Sequence, residues 1–115
     1  MILIVEDNDD SRESLRLLLE SIGHLVLPAA DGREALTLAV AEQPDVMLID
    51  IGLPGLDGYA LARAIRADAR GRTMRLIALT GYGQADDRRR ALEAGFDAHV
   101  VKPVPVSVLR SLLDP

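Results

Sequence analysis

The chain has 115 residues, 49% of them hydrophobic and only 3% aromatic, with a net charge of −5. One domain of this length buries roughly two-thirds of its unfolded surface, and here the core must be built from Leu, Val, Ile and Ala. The acidic balance argues against a nucleic-acid partner, the absence of cysteine excludes disulfides, thiolate metal sites and a cysteine nucleophile, and no apolar run approaches the ~18–20 residues that span a bilayer.

Strand and helix signals alternate five times. The run ILIVED at 2–7 opens with a strand over 2–6 and reaches acids where the apolar stretch of a signal peptide would continue. Leu15, Leu18, Leu19 and Ile22 then recur at helical spacing, and Gly23 is placed to end that helix. A second strand at 24–29 precedes Asp31 and Glu34, whose spacing resembles a capping box for a helix running to about 42, stopped by Pro44. VMLID closes a third strand at 45–50, followed by the loop IGLPGLDG, and Asp57 is the expected N-cap of a helix over 58–68.

After a polar turn at 69–73 comes a strand at 74–80, a flexible GYG loop at 81–83 and a short helix at 85–94 with Asp86 and Asp87 in its first turn. Gly95 ends it, the fifth strand is 97–101, and Pro105 opens a last helix bearing Val108, Leu109, Leu112 and Leu113. The strands are continuous apolar runs, as when helices cover both faces of a parallel sheet. The expected architecture is an α/β, doubly wound (βα)₅ parallel sheet over 1–115, without linker or second domain.

In such a sheet the carboxyl ends of all strands share one edge, where ligands bind. That edge would gather Glu6 and Asp7 from strand one, Asp50 from strand three, Thr80 from strand four and Lys102 after strand five. Three acids, a hydroxyl and an ammonium suit a divalent cation and a phosphoryl group. Asp50 is the candidate nucleophile, since a carboxylate can form an aspartyl phosphate. Asp7 and Asp50 suit Mg²⁺, which takes one or two carboxylates plus waters, with Glu6 nearby and a carbonyl from about Gly52. Two such carboxylates ~5 Å apart repel by roughly 3 kcal/mol at an effective dielectric of 20, so a metal should stabilise the fold. Lys102 would pair with Asp50 at rest and with a phosphoryl oxygen afterwards, and Thr80 would donate its hydroxyl to another.

Each residue also has a plainer reading. Residues 6–10 could simply cap the first helix, Asp50 its own loop, Thr80 could be an ordinary β-branched strand residue, and Lys102 a solvated ammonium. Their occurrence together, all at strand ends, favours the joint site.

The motifs VEDN at 5–8, LIDIGLPGLDG at 48–58, ALTGYG at 78–83 and HVVKP at 99–103 resemble the receiver domain of two-component response regulators along essentially the whole chain. The resemblance implies a flavodoxin-like sheet of order 2-1-3-4-5, with Asp50 as phosphoacceptor. Asp7, Asp50 and the Gly52 carbonyl would hold Mg²⁺, with Glu6 acting through water; Thr80 would be the switch hydroxyl, Lys102 the phosphoryl-binding ammonium, and Lys102–Pro103 a cis bond. It also implies a histidine kinase or phosphotransfer domain as phosphodonor, docking beside Leu53, Pro54 and Gly55, and an output face around Arg88, His99 and the last helix. The plainer reading of Arg88–Arg90 is a solvated helix side balanced by Asp86, Asp87 and Glu93. A cytoplasmic monomer or weak dimer is expected, with no nucleic acid or membrane contact.

Three positions depart from the family pattern. Glu6 stands where Asp is usual. Gly52 brings no side chain to a position that influences acyl-phosphate hydrolysis, while Tyr82 is bulky, so this pair bears on phosphoryl lifetime. His99 replaces the usual Tyr or Phe of a rotamer switch; its plainer reading is a half-exposed strand residue, and His24 reads as structural or solvated. The phrases LIDIGLPGLDGY and GFDAHVVKPV resemble receivers of hybrid sensor histidine kinases, which makes an excised module an alternative to a stand-alone regulator. A haloacid-dehalogenase-type phosphohydrolase is disfavoured because its DxD motif follows strand one, where this chain has EDND. A flavodoxin-like cofactor binder would need a phosphate-cradling loop at that place, and a degenerate receiver would have lost site residues.

Overall fold

A computed structural model describes residues 1–52, 57–81, 85–102 and 104–113, with the side chains of 85–88 outside that description. The elements run β1 (Ile2–Val5), α1 (Asp9–Ser21), β2 (Val26–Ala29), α2 (Gly32–Glu42), β3 (Val46–Asp50), α3 (Gly58–Ala67), a turn of 3₁₀ helix (Ala69–Gly71), β4 (Arg75–Thr80), α4 (Ala85–Ala94), β5 (Ala98–Val101) and α5 (Val106–Leu113). The five strands form one sheet of order β2-β1-β3-β4-β5, all pairs parallel. This is the doubly wound, flavodoxin-like order. No helix among the described residues is long and apolar enough to cross a membrane.

Residue parity divides each strand between two cores. Leu3, Val5, Met47, Ile49, Leu76 and Ala78 pack with α2, α3 and α4, whereas Ile2, Ile4, Leu48, Ile77 and Leu79 pack with α1 and α5. Successive strand side chains point to opposite faces, so only an unbroken apolar run can bury both. β1 does so at every position. The edge strand β2 is half-exposed and carries Pro28, which an edge tolerates because one side of its ladder is unpaired.

Element boundaries follow from local hydrogen bonds. β2 begins at Val26 rather than 24 because the His24 N–H bonds the Leu19 carbonyl and Gly23 N–H that of Glu20. With Gly23 at φ +97, this pair of bonds closes α1 in a Schellman turn. His24 is therefore part of a helix stop, in line with its structural reading. α2 ends in Gln43, left-handed at φ 48, one residue before Pro44. Asp31 caps α2 by accepting from the Glu34 N–H, but Glu34 reaches back to Ala30 N–H rather than to Asp31, so the expected box closes one residue early. Asp57 caps α3 through Ala60 N–H, and the polar turn contains the 3₁₀ segment. The expectations placed on Leu53–Gly55, on Tyr82, on the Lys102–Pro103 bond and on the Arg88 side chain fall outside the described residues.

Candidate functional site

β1, β3 and β4 end together at one rim. β1 stops at Val5 because the chain must turn there: Arg12 in the first turn of α1 donates from Nη1 to the Glu6 carbonyl at 2.9 Å. Asn8, not Asp7, caps α1 through Ser11 N–H. Asp9 and Asp10 lie in the first helical turn, where acids suit the helix dipole. Asp7 is thereby left exposed and free of a capping role.

Within the rim, Glu6, Asp7 and Asp50 each offer a carboxylate oxygen, all within 4.8 Å of one another. Lys102 enters from the end of β5, its backbone N–H bonded to the Thr80 carbonyl at 2.6 Å. Its Nζ donates to Glu6 Oε2 at 2.6 Å and Asp50 Oδ2 at 3.0 Å. The pairing with Asp50 is as expected; the closer pairing with Glu6 is new, and the longer glutamate arm makes it. Glu6 Oε1 also accepts from Asn8 N–H, and Asp50 Oδ1 accepts from Gly52 N–H at 2.9 Å. Of the five residues expected at this edge, Glu6, Asp7, Asp50 and Lys102 lie together, and Thr80 is buried at the end of β4.

Burial is the largest influence on Glu6 and pushes its carboxyl above the ordinary value; the Lys102 ammonium and Asn8 N–H pull it down, and Asp50 adds to the rise. For Lys102, burial alone would lower the ammonium, but its bonds to Glu6 and Asp50 together outweigh it and raise the group above an ordinary lysine. The two ends of one ion pair thus shift in the same direction. The reason is the partners: burial is the largest single influence on both, but two carboxylates act on Lys102, whereas Glu6 has Asp50 beside it adding to the rise.

An all-oxygen donor set of this kind suits a hard cation. Both oxygens of Glu6 and both of Asp50 accept from protein donors, so hydrogen bonding does not separate the two, and the three carboxylates within 4.8 Å of one another are together the candidate donors. A Cβ at position 52 would meet Asp50 Oδ1 at 3.7 Å, an ordinary contact. Glycine there is not sterically required; it leaves that flank of Asp50 uncovered.

Two further polar atoms are notable. Among the described residues, Thr80 Oγ1 and His99 Nε2 are buried without a hydrogen-bond partner. Thr80 pairs with Val101 and Ala78 with His99 across β4 and β5, so both side chains share the α4 side of the sheet. His99 is half-buried, as its plainer reading had it. On α4, Arg89 pairs loosely with Glu93 at 3.6 Å and Arg90 stacks over the Tyr59 ring at 4.4 Å, so this arginine run is partly structural. Sequence reasoning overlooked Arg12, which holds the Glu6 carbonyl at the turn; Asn8 lies within the 6–10 stretch read as a possible cap and is the residue that caps α1.

A family model described as the response regulator receiver domain matches residues 2–114. The chain is 39% identical over 110 residues to the uncharacterized 14.6 kDa protein in the sodA1 3′ region of Leptolyngbya boryana, covering 95% of this chain and 84% of that one. It is 44% identical over 102 residues to the probable transcriptional regulator ycf27 of Guillardia theta, covering 89% of this chain but 39% of the relative. The receiver domain of the sensor histidine kinase PA1611 from Pseudomonas aeruginosa PAO1, solved with a magnesium ion coordinated in its active site cleft, superposes with a TM-score of 0.89 at 38% identity, covering 96% of this chain and 91% of that one. With the acid niche at the sheet rim, the strand order and these likenesses in agreement, the chain belongs to the response regulator receiver family and is a receiver domain of two-component systems.

Proposed function

We propose that Asp50 accepts a phosphoryl group from a phosphohistidine on a histidine kinase or phosphotransfer partner. The observation that carries this is the juxtaposition at one rim of Asp50 Oδ2 with Lys102 Nζ at 3.0 Å, and of Asp50 with Asp7 and Glu6 within 4.8 Å. A carboxylate oxygen of Asp50 attacks phosphorus, a new P–O bond forms, and the P–N bond to the donor imidazole breaks with its electron pair returning to nitrogen. Phosphoryl transfer asks mainly for positioning and charge neutralisation. Gly52 N–H fixes one oxygen of Asp50, and Lys102 exchanges its contact with Asp50 for one to a phosphoryl oxygen. Mg²⁺ bound by Asp7, Asp50 and the Gly52 carbonyl would neutralise the charge that accumulates on the phosphoryl oxygens.

Thr80 is the proposed responder. The residue is 5% exposed and its hydroxyl has no partner among the described residues, and an unsatisfied buried donor gains from any acceptor brought within reach. A phosphoryl oxygen on Asp50 would be that acceptor. A cleft of about 460 Å³ lined by Leu15, Leu18 and Val104 together with Glu6 and Lys102 of the niche supports docking of the donor between α1 and the start of α5. Leu92, Val101, Val106 and Val108 are exposed on α4, β5 and α5, which supports an output surface there. The module acts in the cytoplasm, where its phosphodonors work, and modifies only itself.

The test is incubation with acetyl phosphate and Mg²⁺. The intact mass should rise by one phosphoryl group, stable in acid and removed by hydroxylamine, and Asp50→Asn should gain none. An undiminished gain in that variant would overturn the assignment.

A further inference from the structure

At the rim opposite the acid niche, a single side chain joins four segments. Arg66, in the last turn of α3, donates from Nε to the Gly95 carbonyl at 2.9 Å. Its Nη1 faces the carbonyls of Gly71, Arg72 and Met74 at 3.0, 3.3 and 2.6 Å, and Nη2 meets Asp97 Oδ2 at 2.8 Å. Asp97 Oδ2 also accepts from Leu76 N–H at 2.8 Å. One guanidinium therefore ties the C-terminus of α3 to the approach to β4, the C-terminus of α4 and the start of β5. Its planar fork of five donors suits this better than any other side chain.

The surrounding backbone is shaped to admit it. α4 ends in a Schellman turn, with Gly95 N–H on the Leu92 carbonyl and Phe96 N–H on that of Ala91. Gly95 has φ +109, and a Cβ there would stand 2.7 Å from Arg66 Cγ. Phe96 is buried and meets the Tyr59 ring edge-on at 6.4 Å. At this rim the ends of β4, α4 and β5 are held by charged hydrogen bonds and close packing.

On the same two strands, Thr80 at the far end of β4 and His99 in mid-sheet opposite Ala78 carry buried polar atoms, Oγ1 and Nε2, without a hydrogen-bond partner among the described residues. Thr80 lies four residue steps along β4 from Leu76, about 13 Å at strand rise. The chain enters α4 at Ala85, five residues after Thr80, and leaves it at the Arg66 cluster. α4 is thus fixed at its C-terminal end, and its first residue follows Thr80 by five positions.

We propose that Arg66 is a positioning residue: the fixed pivot about which α4 turns when Asp50 becomes phosphorylated, so that satisfying Thr80 displaces the first turns of α4 and not its end. The proposal rests on Asp50 being the phosphoacceptor. An anchored end converts a small change beside Thr80 into a rotation; without the anchor, the same change dissipates as loosening of the whole helix.

The test is amide hydrogen exchange on the intact chain, with and without acetyl phosphate and Mg²⁺. In the wild type, phosphorylation should change exchange over residues 85–90 and leave residues 91–98 unchanged. Arg66→Gln should take up the phosphoryl group at the wild-type rate, exchange about tenfold faster over 91–98, and lose most of the phosphorylation-dependent change over 85–90. A merely structural role would loosen 91–98 while preserving that change, and this result would overturn the pivot, as would a wild-type response centred on 91–98. Should Arg66→Gln fail to fold, Asp97→Asn keeps an acceptor for Leu76 N–H while removing the ion pair, and the same two outcomes decide. A wild-type chain that takes no phosphoryl group would refute the Asp50 assignment and the pivot with it; a phosphorylated chain with no change over 85–90 would refute the pivot alone.

Discussion

Lys102 holds Glu6 more closely than it holds Asp50, at 2.6 Å against 3.0 Å from one Nζ. The longer glutamate arm brings a nearly buried carboxylate against the ammonium, so at rest Lys102 is shared between two acids. Its departure toward a phosphoryl oxygen would leave Glu6 with only the Asn8 N–H and whatever cation occupies the niche.

Removing the ammonium should therefore leave two neighbouring acids uncompensated. Lys102→Met is expected to lower the unfolding free energy by about 1–3 kcal/mol in metal-free buffer, the range for losing the charged partner of a buried group. Urea unfolding measures it. Mg²⁺ should shrink the difference; an equal loss with and without Mg²⁺ would contradict the shared-niche account.

The pH dependence has a definite sign. The folded-state pKa of Lys102 lies above 10.5, so its contribution is fully present below pH 10.5 and disappears as pH rises through the folded value. Glu6 is also raised, from 4.5, so its ionisation works against folding, and stability from this group declines as pH climbs above that value. Thermal melts should show wild type losing stability above pH 10.5 more steeply than Lys102→Met. Parallel curves would refute the assignment.

Magnesium should raise the melting temperature through Asp7 and Asp50. At a concentration of 100 times Kd the gain is about 2.7 kcal/mol, and each kcal/mol corresponds to roughly 4–8 °C in a domain near this size. Asp7→Asn should weaken binding while leaving the metal-free protein at least as stable, because it removes one of three mutually repelling carboxylates and breaks no cap. A metal-dependent shift that survives Asp7→Asn undiminished would exclude that residue as a ligand.

Gly58 opens α3 directly beneath the acceptor strand, where a Cβ would lie 2.9 Å from the Asp50 carbonyl and from Ile51 Cα. The obstacle is backbone, so relief requires moving the end of β3. Gly58→Ala should cost about 1–3 kcal/mol, as overpacking does, and should slow phosphorylation from acetyl phosphate by displacing Asp50. Unfolding and intact-mass kinetics check the two effects separately.

Much of this protein could be read from the chain. Unbroken apolar runs at 2–5, 46–49 and 76–79 require helices on both sides, and Asp57, Gly23 and Gly95 mark helix ends through local bonds that neighbouring residues suffice to form. The acids at positions 6, 7 and 50 and the lysine at 102 follow from where those strands stop. Strand order came only through family likeness, because periodicity records which face a residue takes and not which strand lies beside it.

Other features were decided only by folding. The hold of Lys102 on Glu6, ninety-six residues away, depends on β5 and β1 ending at the same rim with two strands between them, and no local pattern encodes that. Arg66 looks like any charged residue in a last helical turn until three other segments deliver carbonyls and Asp97 to it. The unpartnered states of Thr80 and His99 are likewise properties of the packed interior. Sequence specifies short-range geometry because its bonds close within a few residues; charge pairing and burial of polar atoms are set by distances that exist only after the sheet has assembled.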